Sequence, residues 1–232
     1  PVFEFNRIII ENTSQEAAAY KLNLAFYESE GQKGFETLYK TMEIMPKDIL
    51  VIGDAKRGDI GNTSEMYAKS LFEHFGFDAS TLNAYMGYDA IEPFARYKDK
   101  INYILVLTSN KGSADFQKMK LQNGKFLYEQ MLETVKQWNT DKNLGIVFGA
   151  TNSEQLLQTA EDFRGLQVLL PGIGAQGGSL EDVIKTFKGI SSQDFTINVS
   201  RAVIYASDGK DFGDKAKKVL NDYNSQIKNI FE

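Results

Sequence analysis

Short apolar runs alternate with longer amphipathic segments from one end of the chain to the other. The runs predict strands at 18–24, 49–53, 80–83, 103–107, 145–148, 167–170 and 195–199. Two of them, YILVL and LQVLL, are apolar without a break. Strands covered on both faces need that composition, and a parallel sheet flanked by helices supplies it. Helical periodicity predicts helices at 2–11, 33–45, 63–75, 88–97, 124–139, 153–163, 180–188 and 211–229. Asn62 with Glu65, and Ser179 with Asp182, place a side-chain acceptor at a helix start and an acid three residues on. Gly76 follows Phe75 as a helix stop.

Repeats of roughly 25–35 residues without a long linker describe one domain of βα units spanning residues 1–232. Eight helices stand against seven strands, with a helix first. A (β/α)8 TIM barrel has a strand before each helix, so this reading expects a first strand upstream of Pro1. An open doubly wound sheet would also hold seven strands.

Composition narrows the chemistry more than the fold. A hydrophobic fraction of 42% and a charged fraction of 25% are those of an ordinary globular protein. The net charge of −5 offers no global attraction to nucleic acid or anionic membrane, so any phosphate site must be local. Without cysteine there are no disulfides or thiolate metal sites. His74 is the one histidine, which argues against a catalytic zinc and against Ser-His catalysis. No apolar run approaches the ~20 residues of a membrane span. PVFEFNRIIIENTS lacks the basic start and cleavage site of a signal peptide, so a cytoplasmic protein is expected. On that footing the glycosylation patterns at Asn12 and Asn62 are accidental.

Four constellations can carry chemistry. In VIGDAKRGDIGNTSEMYA, residues 51–68, a predicted strand ends at Asp54. This sets Asp54, Lys56 and Asp59 where strand ends and βα-loops build barrel active sites. Two acids bracketing a lysine hold its ammonium charged and make it a positioned acid. A solvated charged loop is the bland alternative. In AAAYKLNLAF, alternation puts Lys21 and Asn23 on the face opposite Tyr20 and Leu22. Inside a barrel, Lys21 would need a partner, and Asp54 on the next strand is the candidate. The bland reading is an edge strand with a wet face.

In LPGIGAQGG, Gly172, Gly174 and Gly177 match the G-x-G-x-x-G dinucleotide pattern. They follow a late strand and precede a helix capped at Ser179, which favours a loop closing on phosphate, with Gln176 as a donor. Arg201 follows the last strand, where barrels bind phosphate, or forms a surface ion pair. Thr108-Ser109-Asn110 ends another strand with groups suited to a heterocycle, although polar turns of this kind are common.

DAKRGDIGNT closely resembles the signature of orotidine 5′-phosphate decarboxylases. YKLNLAFYE, YMGYD, LTSNKGSADF, GATN, PGIGAQGG and VSRAVIYA continue the resemblance in order along the chain. The resemblance implies a homodimeric barrel converting orotidine 5′-monophosphate to UMP and CO2 without metal or organic cofactor. It implies that Lys56 protonates C6, with Asp54 and Lys21 in the same charged network. Asn23 is implied to contact the ribose and Ser109 the pyrimidine, while Gln176 and Arg201 bind phosphate and residues 172–179 form a gate. Asp59, Ile60 and Thr63 are implied to serve the neighbouring subunit's site. The family's ribose-binding aspartate at the end of its first strand has no counterpart after Pro1. A Mg-dependent sugar-phosphate decarboxylase of the same superfamily is the nearest rival, but its site wants an acid where Lys21 stands. A dinucleotide-dependent oxidoreductase rests only on the glycine pattern, and a non-catalytic nucleotide-binding subunit would not need the array of Lys21, Asp54, Lys56 and Asp59.

Overall fold

The computed structural model describes residues 1–174 and 176–231. All seven predicted strands are present: β1 (Ala19–Asn23), β2 (Leu50–Arg57), β3 (Ala79–Leu82), β4 (Ile101–Leu107), β5 (Leu144–Phe148), β6 (Gln167–Pro171) and β7 (Phe195–Asn198). They form one parallel sheet in sequence order, each strand beside the next. The sheet curls into a nearly closed TIM barrel, with β1 and β7 as its two edges, the place an eighth strand occupies in a closed ring.

Side chains sort by strand alternation into two apolar layers. Ile52, Ala79, Tyr103, Val147 and Leu169 fill the barrel interior. Residues of opposite parity, among them Val51, Ile104, Ile146, Val168 and Leu170, pack outward against the helices. This double burial is what the unbroken apolar runs encode.

The helices α1 (Val2–Thr13), α2 (Leu24–Glu28), α3 (Gly31–Glu43), α4 (Gly61–Lys69), α5 (Glu92–Ala95), α6 (Leu127–Trp138), α7 (Ser153–Gln158), α8 (Leu180–Gly189), α9 (Arg201–Ile204) and α10 (Phe212–Phe231) connect and cover the strands. Helix α10 returns to α1 through Ile9, Val203 and Ala216. None of the described helices is long and apolar enough to cross a membrane.

Several expectations at the helix starts and ends change. Ser179 caps α8 as expected, accepting from the Asp182 N–H at 3.1 Å. Asn62 does not cap α4: the helix begins two residues earlier than expected, with Ile60 at the cap and no side-chain cap bond. The helix expected over 63–75 passes into a π-helical turn, Ser70–His74, before Gly76 stops it at φ +74°. The helix expected over 88–97 is only a 3₁₀ turn, Tyr88–Ala90, and the short α5. Pro93 sits in the first turn of α5, where a missing N–H costs nothing.

Candidate active site

The site is built where β2 leaves regular pairing. Gly53 pairs with Ser80, but the next pair is Arg57 with Leu82, so four steps on β2 span two on β3. Within this excess, Lys56 takes φ +48°. A left-handed conformation costs a non-glycine residue about 1–3 kcal/mol and persists only where its surroundings enforce it. One such restraint is the hydrogen bond from the Lys56 N–H to Thr81 Oγ1, at 2.9 Å.

Asp54 lies at the centre. Its side chain is 8% exposed and accepts three donors. Lys21 Nζ meets Oδ2 at 2.5 Å, while Lys56 Nζ at 2.6 Å and the Thr81 hydroxyl at 2.9 Å share Oδ1. Burial alone would raise this carboxyl's pKa. The charge and hydrogen bond of Lys21, followed by those of Lys56, outweigh burial and hold it below its ordinary value. The two ammonium groups are not equivalent. Lys21 is 14% exposed, whereas Lys56 is 49% exposed and can meet a bound molecule.

Asn23, in register with Asp54 across β1 and β2, uses its Oδ1 to cap α2 through the Ala25 N–H at 3.2 Å. Asp59 stands apart from the cluster, and its Oδ1 accepts the Ile60 N–H at 2.8 Å. Ile60 and Thr63, on the following turn, are exposed. Arg57 turns away from the barrel interior. Its guanidinium pairs with Glu28 of α2 and lies 4.9 Å from the centre of the Tyr67 ring. The strand end that carries Lys56 is thereby tied to both neighbouring helices.

A second group gathers around the ends of β4, β6 and β7. The Ser109 hydroxyl donates to Gln176 Oε1 at 2.8 Å. Gly172, Gly174 and Gly177 all adopt positive φ. The loop closes on itself, with the Gly178 N–H bonded to the Gly172 carbonyl at 3.0 Å. It does not open a helix, so the glycine pattern is not arranged as a dinucleotide cradle. A methyl group on Gly174 would lie 3.5 Å from Ala202 Cβ, which sets the loop against the start of α9, where Arg201 is exposed. Ala175, inside the expected gate, lies outside the described residues.

The structure thus joins Lys21, Asp54 and Lys56 directly, joins Ser109 to Gln176, and leaves Asp59 outside the ion-pair cluster. Sequence reasoning missed Thr81 and the Arg57–Glu28 tie. Strand alternation could have put Thr81 on the inner face, but the slipped register that aims its hydroxyl is a tertiary feature. Among the described residues, no three or more His, Cys, Asp or Glu side chains gather as a metal site.

Comparison with known proteins supplies a family. The model of the Orotidine 5'-phosphate decarboxylase / HUMPS family matches residues 3–216. An orotidine 5′-phosphate decarboxylase of Dehalococcoides mccartyi is 44% identical over 97% of this chain and 84% of its own length. The structure of OMP decarboxylase from Leishmania donovani superposes with a TM-score of 0.86 at 36% identity, covering 97% of this chain and 87% of that one. UMP synthase of the same organism gives a TM-score of 0.87 at 38% identity, covering 97% of this chain. This chain spans half of that protein's length.

Proposed function

The chain belongs to the orotidine 5′-phosphate decarboxylase / HUMPS family, and from that premise we propose how its residues divide the reaction. The reaction is the decarboxylation of orotidine 5′-monophosphate (OMP) to UMP and CO2, a step of pyrimidine biosynthesis. The observation that carries the division of labour is the Lys21–Asp54–Lys56 array at the ends of β1 and β2.

Lys56 is the proton donor. When the bond from C6 to the carboxylate breaks, CO2 leaves and the electron pair stays on C6. The Lys56 ammonium, already positive and half exposed, offsets this charge and then delivers its proton to C6. Asp54 is ionised in the folded protein, so it pairs with Lys56 and, with Asp59, crowds the substrate carboxylate. Lys21 balances Asp54 and, with Asn23, faces the ribose. Ser109 contacts the pyrimidine, Gln176 and Arg201 bind phosphate, and the loop over 172–179 closes the site. Phosphate is far from C6, so its binding energy serves closure and orientation rather than bond breaking.

The functional unit is a homodimer in which Asp59, Ile60 and Thr63 complete the neighbour's site, acting in the cytoplasm without metal or organic cofactor. Asp59 has no ion-pair partner among the described residues, which suits a group that works across an interface. Exposed Ile60 (52%), Tyr85 (83%) and Met86 (52%) offer apolar surface for that contact. Lys21, 2.5 Å from Asp54, sets a fixed positive charge where a Mg-dependent relative would need an acid.

The test follows the loss of OMP absorbance, with and without EDTA. The wild type should keep its rate in chelator, and Lys56→Ala should lose about 10²–10⁴-fold in kcat. Loss on chelation, or a mutant with its rate intact, refutes this mechanism. Mixing Lys56→Ala with Asp59→Ala subunits should restore part of the activity. Confirmed heterodimers without recovery would overturn the shared site.

A further inference from the structure

We propose that Thr81 is a positioning residue for the decarboxylation, its hydroxyl fixing both the Asp54 carboxylate and the backbone of Lys56. The inference rests on Lys56 being the proton donor, and deepens that reading.

Thr81 is 1% exposed, so its hydroxyl needs partners. It has two, both at 2.9 Å, and their chemistry fixes the direction of each bond. An ionised carboxylate can only accept, and a backbone N–H can only donate. The hydroxyl proton therefore points at Asp54 Oδ1, and a lone pair faces the Lys56 N–H. One rotor state satisfies both.

The slipped register explains why a side chain is required here. Four steps of β2 span two of β3, and the Lys56 N–H meets Thr81 Oγ1 in place of a ladder carbonyl. The hydroxyl thus supports the φ of +48° that carries the lysine side chain towards Asp54. At the same time it occupies one side of Oδ1, so that Lys56 shares this oxygen and Lys21 takes Oδ2. Without the hydroxyl, the Lys56 amide loses its acceptor and the carboxylate is free to rotate. The Lys56 ammonium would then lose its fixed position relative to C6, while Asn23, Gln176 and Arg201, none of them bonded to Asp54, stay in place.

The neighbouring Ser80 provides a matched control. It is also fully buried on β3, and its hydroxyl donates to Asn102 Oδ1 at 2.8 Å, away from the site. Removing either hydroxyl deletes one buried hydrogen-bonding group from the same strand.

The experiment measures kcat and KM for OMP with wild type, Thr81→Val, Thr81→Ser and Ser80→Ala, each checked for native circular dichroism. Thr81→Val should lower kcat about 10–100-fold, the scale of a small misplacement of a reacting group. Its KM should stay within about threefold, because binding contacts are untouched. Thr81→Ser should recover kcat to within about threefold of wild type, and Ser80→Ala should retain it. The proposal is overturned if Thr81→Val keeps its kcat, if Thr81→Ser falls as far as valine, or if Ser80→Ala shows the same loss. Should Thr81→Val fail to fold, Thr81→Ala is read in its place; failure of both to fold overturns the proposal by making the hydroxyl a requirement of the fold. A wild type inactive on OMP would instead overturn the assignment of the reaction.

Discussion

At the scale of single residues, the central fact is one carboxylate shared by two lysines. Asp54 has a folded pKa below its ordinary value of 3.8. Its charged form therefore stabilises the fold, fully so above that value, and the contribution is lost as pH falls through the lower folded value. Asp54→Asn should be less stable than wild type at pH 7. The gap should narrow below about pH 3.8, as read from urea midpoints at both pH values. A gap independent of pH would show that the charge contributes nothing. The pairing of Lys21 with Asp54 was legible from alternation on β1 and the place where β2 ends. The left-handed backbone at Lys56 was not, because no residue preference announces it; the register slip and Thr81 impose it from outside.

At the scale of elements, strands were easier to read than helix starts and ends. Unbroken apolar runs such as YILVL leave little choice, whereas a helix start depends on where the backbone turns. Asn62 and Glu65 carry the letters of a capping box, yet α4 starts with Gly61, at φ +53°. Helices α2 and α9 are too short, at five and four residues, to show a period. Their places are set by contacts distant in sequence, and α2 is the clearest case. Gly34 of α3 passes so close to it that an added methyl would fall 1.8 Å from the Tyr27 carbonyl oxygen. Gly34→Ala must push the two helices apart, at a cost of about 1–3 kcal/mol. Because α2 holds Glu28 against Arg57, the variant should lower both the denaturant midpoint and kcat. An unchanged midpoint would show that this corner yields freely.

Across the whole molecule, the proposed site draws on both ends of the chain. Lys21, Asp54 and Lys56 come from the first two strands, and Gln176 and Arg201 follow the last two. Strand order sets the ends of these strands along one rim of a curled parallel sheet, an arrangement that spacing along the chain conceals. With a net charge of −5, an anionic substrate must meet its favourable potential locally, and cations on that rim such as Lys21, Lys56 and Arg201 can supply it. In the proposed binding mode, the nucleotide runs from Lys21 and Lys56, on β1 and β2, to Arg201, just after β7. Backbone amides at strand ends exchange with solvent through small local openings. Bound product would link these strands, and opening the end of either would then require releasing it. UMP should therefore slow deuterium uptake in β1 and β7 together, more than in β4 on the far side of the ring. Protection confined to one of the two strands would mean that the nucleotide does not bridge them. On this view the ligand ties the first described strand to the last as well as filling its site.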